Sequence, residues 1–87
     1  MIESIYVVEK ENNGEIWAFR TMDDARMFIL KEYMESELKD LCKNILKNLD
    51  DPGQISDYLD FLTDDLRNLR NDGYIDGFMF IREATLI

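Results

Sequence analysis

Two short apolar runs near the start of the chain, with a turn pair between them, predict a β-hairpin. Residues 5–8 and 16–19 are rich in β-branched and aromatic side chains, and Asn13-Gly14 between them is typical of a two-residue type I′ turn. Such a turn pairs Val8 with Phe19 and Lys10 with Trp17. Both faces of the hairpin are then apolar, one with Tyr6, Val8, Trp17 and Phe19, the other with Ile5, Val7, Ile16 and Ala18. We therefore expect helices to cover one face, and the chain terminus or a second subunit to cover the other.

Apolar residues next recur at spacings of three and four, which predicts a helix that begins at Met22 after an N-cap at Thr21. No Gly or Pro interrupts it before Pro52, so it can reach about Asn48, roughly 40 Å at 1.5 Å per residue. Two alternatives stay open: the helix breaks near Glu35-Ser36, or it projects and packs against a partner chain. One apolar stripe follows the whole length of the helix and consists of Met27, Leu30, Met34, Leu38, Leu41 and Ile45. A second apolar face is present only on the first half and consists of Ala25, Phe28, Ile29 and Tyr33.

A second helix is predicted from Pro52, with Asp51 as its cap, to about Asn71, where Gly73 ends it. A short loop makes the two helices an antiparallel hairpin. The alternating residues 74–82 predict a third strand beside the first, in sheet order 2-1-3, and the apolar end 84–87 extends that strand or covers an open face. The expected fold is one α+β domain over residues 1–87, with order ββααβ, a three-stranded antiparallel sheet and a helical hairpin.

Charge narrows the class of partner. The chain has 19 acidic and 10 basic residues, a net charge of −9. Such a field repels nucleic acid phosphates and anionic membranes and attracts basic proteins. We therefore expect no direct nucleic acid binding and no membrane association. The first apolar run is too short for a signal peptide, so the expected location is the cytoplasm. The first helix is apolar on two faces along its first half, and this favours a homodimer.

Catalytic and metal-binding signatures are absent from the sequence. It contains no His, and the lone cysteine, Cys42, lies among leucines and isoleucines as a predicted core residue. Residues 71–76 resemble the middle of an EF-hand loop, but Asn68, Arg70 and Met79 then occupy the first, third and twelfth positions, where calcium needs carboxylates. This segment is interpreted as a helix end that leads into a strand. We expect a protein that is not an enzyme and has no metal and no cofactor.

The second helix carries a stripe of aspartates. Asp57, Asp60 and Asp64 fall within about 60° of each other, opposite the apolar face, with Asp65 and Phe61 to one side. One interpretation is a solvated surface. The other is a surface that imitates a nucleic acid backbone, with the four aspartates as phosphate surrogates and Phe61 as an apolar anchor. The four charges are spaced about 3 Å apart, against ~1.7 Å per charge along duplex DNA, and a dimer would double their number.

The chain resembles small acidic proteins encoded by bacteriophages. The resemblance is carried by its length, its one-sided charge, the hairpin-then-helix opening over residues 14–25 and the Asp-rich helix. Members of that group shut down host machinery, and several imitate DNA. The resemblance implies a phage protein that inhibits a basic nucleic-acid-binding protein by DNA mimicry in the host cytoplasm. The alternative function is a structural or assembly module that acts through the apolar long helix, with acidity serving only solubility.

Overall fold

A computed structural model describes residues 3–86 of the protein, which form an antiparallel sheet of strand order β2-β1-β4-β3 and three helices. The predicted α+β class is confirmed, whereas the order ββααβ with three strands is wrong, because the observed order is ββαααββ. The elements are β1 (Glu3–Lys10), β2 (Ile16–Phe19), α1 (Met22–Glu35), α2 (Glu37–Lys47), α3 (Pro52–Asp72), β3 (Tyr74–Ile75) and β4 (Met79–Leu86).

The extra strand comes from a turn inside the segment 74–82. Gly77 has a φ of +72°, and the Phe78 N–H donates to the Ile75 carbonyl at 3.0 Å, so the chain folds back between β3 and β4. Asp76-Gly77 is a typical hairpin turn pair that interrupts the apolar residues, and the prediction of one strand over residues 74–82 is wrong. As expected, the last strand pairs antiparallel with β1, and β3 is added at its outer edge. The chain end extends β4 as far as Leu86; Met1, Ile2 and Ile87 lie outside the described residues.

The first hairpin closes with a longer loop than predicted. Tyr6 lies opposite Phe19 and Val8 opposite Trp17, so the predicted pairs Val8–Phe19 and Lys10–Trp17 are wrong. The Lys10 carbonyl accepts from Gly14, whose φ is +72°, and residues 11–14 form a four-residue loop. Because the error is two residues, an even shift, each side chain keeps its predicted face.

Ser36 interrupts the long helix. Its hydroxyl donates to the Glu32 carbonyl at 2.8 Å, and its ψ of −73° bends the chain between α1 and α2. Of the two alternatives, the break is therefore observed at the predicted place, and the helical hairpin is bent. Both predicted caps are confirmed, since the Thr21 hydroxyl accepts from the Asp24 N–H at 3.1 Å and Asp51 accepts from the Gln54 N–H at 3.2 Å.

The core lies between one sheet face and the second apolar face of α1. Ala25 and Ile29 are fully buried there against Val8 and other apolar side chains. Phe28 closes the end of this layer, with its ring 4.8 Å from Trp17 and 5.2 Å from Phe19. This arrangement fixes α1 on the sheet, and α1 in turn positions the helices that follow.

The opposite sheet face remains largely open in the described residues. Ile16 is 59% exposed, and Ala18 beside it is exposed as well. Arg82 and Glu9 form a weak ion pair across this face at 3.9 Å. Residues 84–86 continue β4 and do not cover the face, so cover by a second subunit stays a prediction.

Candidate functional site

The candidate surface lies on a helical arm, which is α2 together with the first half of α3. The molecule is elongated, 58 × 23 × 16 Å, and α2 contains no buried residue. The body at the other end consists of the sheet, α1 and the end of α3, where Leu69 is buried. The arm therefore exposes most of the side chains that the sequence assigns to the function.

The projection of the arm from the body determines the environment of Cys42. It was predicted to be a core residue, and that prediction is wrong because the side chain is exposed. Its neighbours Leu38, Leu41 and Ile45 are only half-buried. The helical pattern identified correctly that α2 is amphipathic, but α2 packs on α3, with Leu38 at its start against the core, and it does not reach the sheet.

One flank of the arm collects carboxylates from two helices. We define the acidic flank by its residues Glu37, Asp40, Asp57, Asp60, Asp64 and Asp65. The aspartates at 57, 60 and 64 line one shallow depression with Phe61, and the remaining three acids line the next depression, again with Phe61. The five residues predicted from the sequence therefore lie together on one surface.

Phe61 is the aromatic side chain at the centre of the acidic flank. It is 69% exposed and borders both depressions. An exposed aromatic ring between charged groups has the composition of an interface anchor, because aromatic side chains are enriched among the residues that dominate binding energy. Its position agrees with the predicted role, which itself stays a prediction.

Asp65 differs from the other predicted aspartates. It is half-buried, and its carboxylate accepts a hydrogen bond of 3.0 Å from the hydroxyl of Tyr33 on α1. Burial of the phenol is the main cause that raises the pKa of Tyr33 far above its ordinary value, and the hydrogen bond and negative charge of Asp65 raise it further. Asp65 therefore ties α3 to α1, and only part of its side chain is exposed to solvent.

The charge of the flank is little reduced by neighbouring cations. Among the described residues, the acidic flank contains an ion pair between Arg67 and Asp64 at 3.4 Å. Both side chains are more than half exposed, and such a pair contributes little in water. Asp57 and Asp60 are exposed and make no recorded ion pair with residues 3–86, so the flank keeps a strong negative field.

Glu37 and Asp40 were missed by the sequence reasoning. They sit on α2, and they join the aspartates of α3 only because the helical hairpin brings the two helices side by side. The spacing of Glu37, Asp40 and Asn44 places three polar residues on one side of α2, which is the signal that predicts them.

Among residues 3–86, no group of three or more His, Cys, Asp or Glu side chains is arranged so that it could hold a metal ion. Gly73, in the segment that resembles an EF-hand, has a φ of +73° and donates its N–H to the Leu69 carbonyl at 3.2 Å, so the helix-end interpretation is confirmed. None of the described helices combines the length and apolar character needed to cross a bilayer.

Comparisons with protein-family models, with curated proteins and with solved structures gave no match to this chain.

Proposed function

We propose that this chain is a non-enzymatic inhibitor that occupies the basic nucleic-acid-binding groove of another protein by imitating nucleic acid. The observation that carries the proposal is the acidic flank, where two helices of a projecting arm present six carboxylates around the exposed ring of Phe61. The resemblance to phage-encoded inhibitors supports the same function, and under this proposal the chain acts in the host cytoplasm.

The shape of the arm supports this function. A groove that holds nucleic acid is lined by Lys and Arg, which release counterions when they meet a row of negative charges. The arm is narrow enough to enter such a groove, because it is two helices wide and stands away from the body. Phe61 then contributes apolar contact that the phosphate backbone does not offer.

A displacement experiment tests the proposal. Proteins from a bacterial lysate are retained on DNA-cellulose, and the column is then washed with the purified chain at low salt. We expect the wild-type chain to release a defined protein, and we expect D57N/D60N/D64N to need at least a tenfold higher concentration. Release should fall steeply as salt rises, as in binding dominated by phosphate-like charges.

A charge-matched control separates the flank from overall acidity. E3Q/E11Q/E83Q also removes three charges, at exposed positions of β1, β4 and the first hairpin loop. We expect this variant to release the protein as well as wild type does. Mimicry is refuted if D57N/D60N/D64N releases the protein at the wild-type concentration, or if both triple variants lose release equally.

The second candidate function, an assembly module, is favoured by a separate observation. Met27 and Met34 on α1 are 68% and 53% exposed, so the predicted stripe of the long helix is open at its first half. In this case Met34→Asp abolishes the biological effect, while D57N/D60N/D64N leaves it unchanged. The displacement experiment is carried out on D57N/D60N/D64N, E3Q/E11Q/E83Q and Met34→Asp. The difference between the first variant and the last distinguishes the two functions.

A further inference from the structure

The side of the molecule opposite the acidic flank is apolar. Met27 and Leu30 of α1 form a groove with Leu66 of α3, and Met34 continues the groove toward the arm. Six of the residues on this side are large hydrophobics between 36% and 68% exposed. We define the apolar flank by these six and Cys42: Met27, Leu30, Met34, Cys42, Leu46, Leu59 and Leu66.

The helical periodicity places the arm residues on this same side. Leu59 precedes Leu66 by two turns of α3, so the two side chains point in nearly the same direction. On α2, Cys42 and Leu46 point about 160° and 120° away from Asp40, which belongs to the acidic flank. The apolar flank therefore runs from the body along the arm.

We propose that the apolar flank is the site where a second copy of this chain binds in an antiparallel homodimer. The exposed parts of the six large side chains amount to roughly 300–400 Å² of apolar surface. A stable interface buries ~800 Å² per partner, of which about 60% is non-polar. The flank thus supplies most of the apolar area that a dimer needs, and the alkyl stems of its lysine and arginine residues add to it.

Charge identifies the second copy as the occupant. The two grooves of this flank are bordered by three cations, Arg26, Lys31 and Arg70, and by two acids, Asp23 and Glu35. This near-neutral border contrasts with the net charge of −9 of the whole chain. Two copies can therefore approach each other here, with their acidic flanks turned away. A border of both signs around an apolar centre also has the self-complementarity that a twofold interface requires.

The positions of Lys31 and Glu35 define the expected geometry. They lie one turn apart on the outer edge of α1, and in an antiparallel pair with its twofold axis near Tyr33, each Lys31 lies beside Glu35 of the second copy. Met27 then faces the arm of the second copy, near its Cys42. The two Cys42 residues are separated by about 30 Å in this arrangement, at a rise of 1.5 Å per residue.

Sedimentation analysis between 1 and 100 µM tests the proposal. We expect a mass twice the 10.3 kDa of the chain. Met34→Asp and Met27→Asp should raise the dissociation constant by roughly 30-fold or more, because each places a charge in the centre of the interface. Both side chains are exposed, so circular dichroism should show intact folds. The matched control is Ile16→Asp, which adds the same charge to the open sheet face and should leave the dimer unchanged.

Charge reversal examines the contact geometry. Lys31→Glu should weaken the dimer, and K31E/E35K should restore it. A wild-type monomer at 100 µM, a dimer that tolerates both methionine substitutions, or a dimer lost only in Ile16→Asp overturns the proposal. These results are independent of the DNA-cellulose experiment, since none of them uses a nucleic-acid-binding protein.

Discussion

Tyr33→Phe removes the hydroxyl that joins α1 to the arm. The phenol of Tyr33 is 3% exposed, its ring packs edge-on against Phe78 at 6.0 Å, and its hydroxyl donates to Asp65. Phenylalanine keeps the ring contacts, so the substitution isolates the hydrogen bond. Hydrogen bonds to charged groups contribute about 1.5–3 kcal/mol, but Asp65 is half-exposed and water can replace the hydroxyl. We expect a loss of about 1–1.5 kcal/mol in the free energy of unfolding at pH 7.

The same hydroxyl gives the stability difference a distinctive pH dependence. In the unfolded chain the phenol ionises near pH ~10, whereas folding raises the pKa of Tyr33 by burial and by its contact with Asp65. The unfolded wild-type chain therefore releases a proton above pH ~10 that the folded chain retains, and wild-type stability falls by about 1.4 kcal/mol per pH unit. The variant lacks this group, so the wild-type advantage persists below pH ~10 and vanishes near pH ~11.

Urea denaturation at pH 8, 10 and 11, followed by the fluorescence of Trp17, measures both effects. Trp17 is the single tryptophan and packs against Phe28 at the sheet, so its signal reports loss of the core. Tyr58→Phe is the matched control, because its hydroxyl makes no hydrogen bond with the described residues and its removal should change stability little at pH 8. A stability difference between wild type and Tyr33→Phe that stays constant from pH 8 to 11 refutes the reasoning.

Two substitutions test the body of the fold. Gly73→Ala should lower stability by about 1–2 kcal/mol, because φ is +73° and the added Cβ lies 2.8 Å from the Met22 side chain; a melting temperature within 2 °C of wild type contradicts this. Ile29→Ala should lower the free energy of unfolding by about 2–5 kcal/mol, because the site is fully buried. Ile16→Ala on the open sheet face should lower it by less than about 1 kcal/mol. Equal losses in urea denaturation would contradict the assigned core.

Local signals in the sequence predicted the elements that depend on local chemistry. Thr21, Asp51 and Gly73 act at the ends of their helices through hydrogen bonds to residues three or four positions away. The break at Ser36 is also local, since its hydroxyl bonds the preceding turn. Sequence reasoning could state each of these because the interacting groups lie within one turn of helix.

The wrong predictions have two causes. The turn between β3 and β4 has a local signal, since Asp-Gly is typical of hairpin turns, but Asp76-Gly77 was overlooked because the apolar residues on both sides were interpreted as one strand. The other wrong predictions depend on how the helices pack. The exposure of Cys42 depends on whether α2 reaches the sheet, which a helical repeat does not encode. In the same way, Glu37 and Asp40 become part of the acidic flank only through the packing of α2 on α3.

The two flanks of the arm connect the proposed function with the proposed dimer. Aspartates on a single helix reach only about half the charge density of duplex DNA. In an antiparallel dimer, the apolar flanks face each other and both acidic flanks remain outside, at opposite ends of the assembly. Mimicry then presents two separate acidic surfaces, each with its own Phe61, and one dimer can engage two partner molecules. If dimerisation is required for inhibition, Met34→Asp should reduce release from DNA-cellulose although all six carboxylates are intact. If dimerisation is not required, this monomeric variant should release the partner at the same molar concentration of chain as wild type.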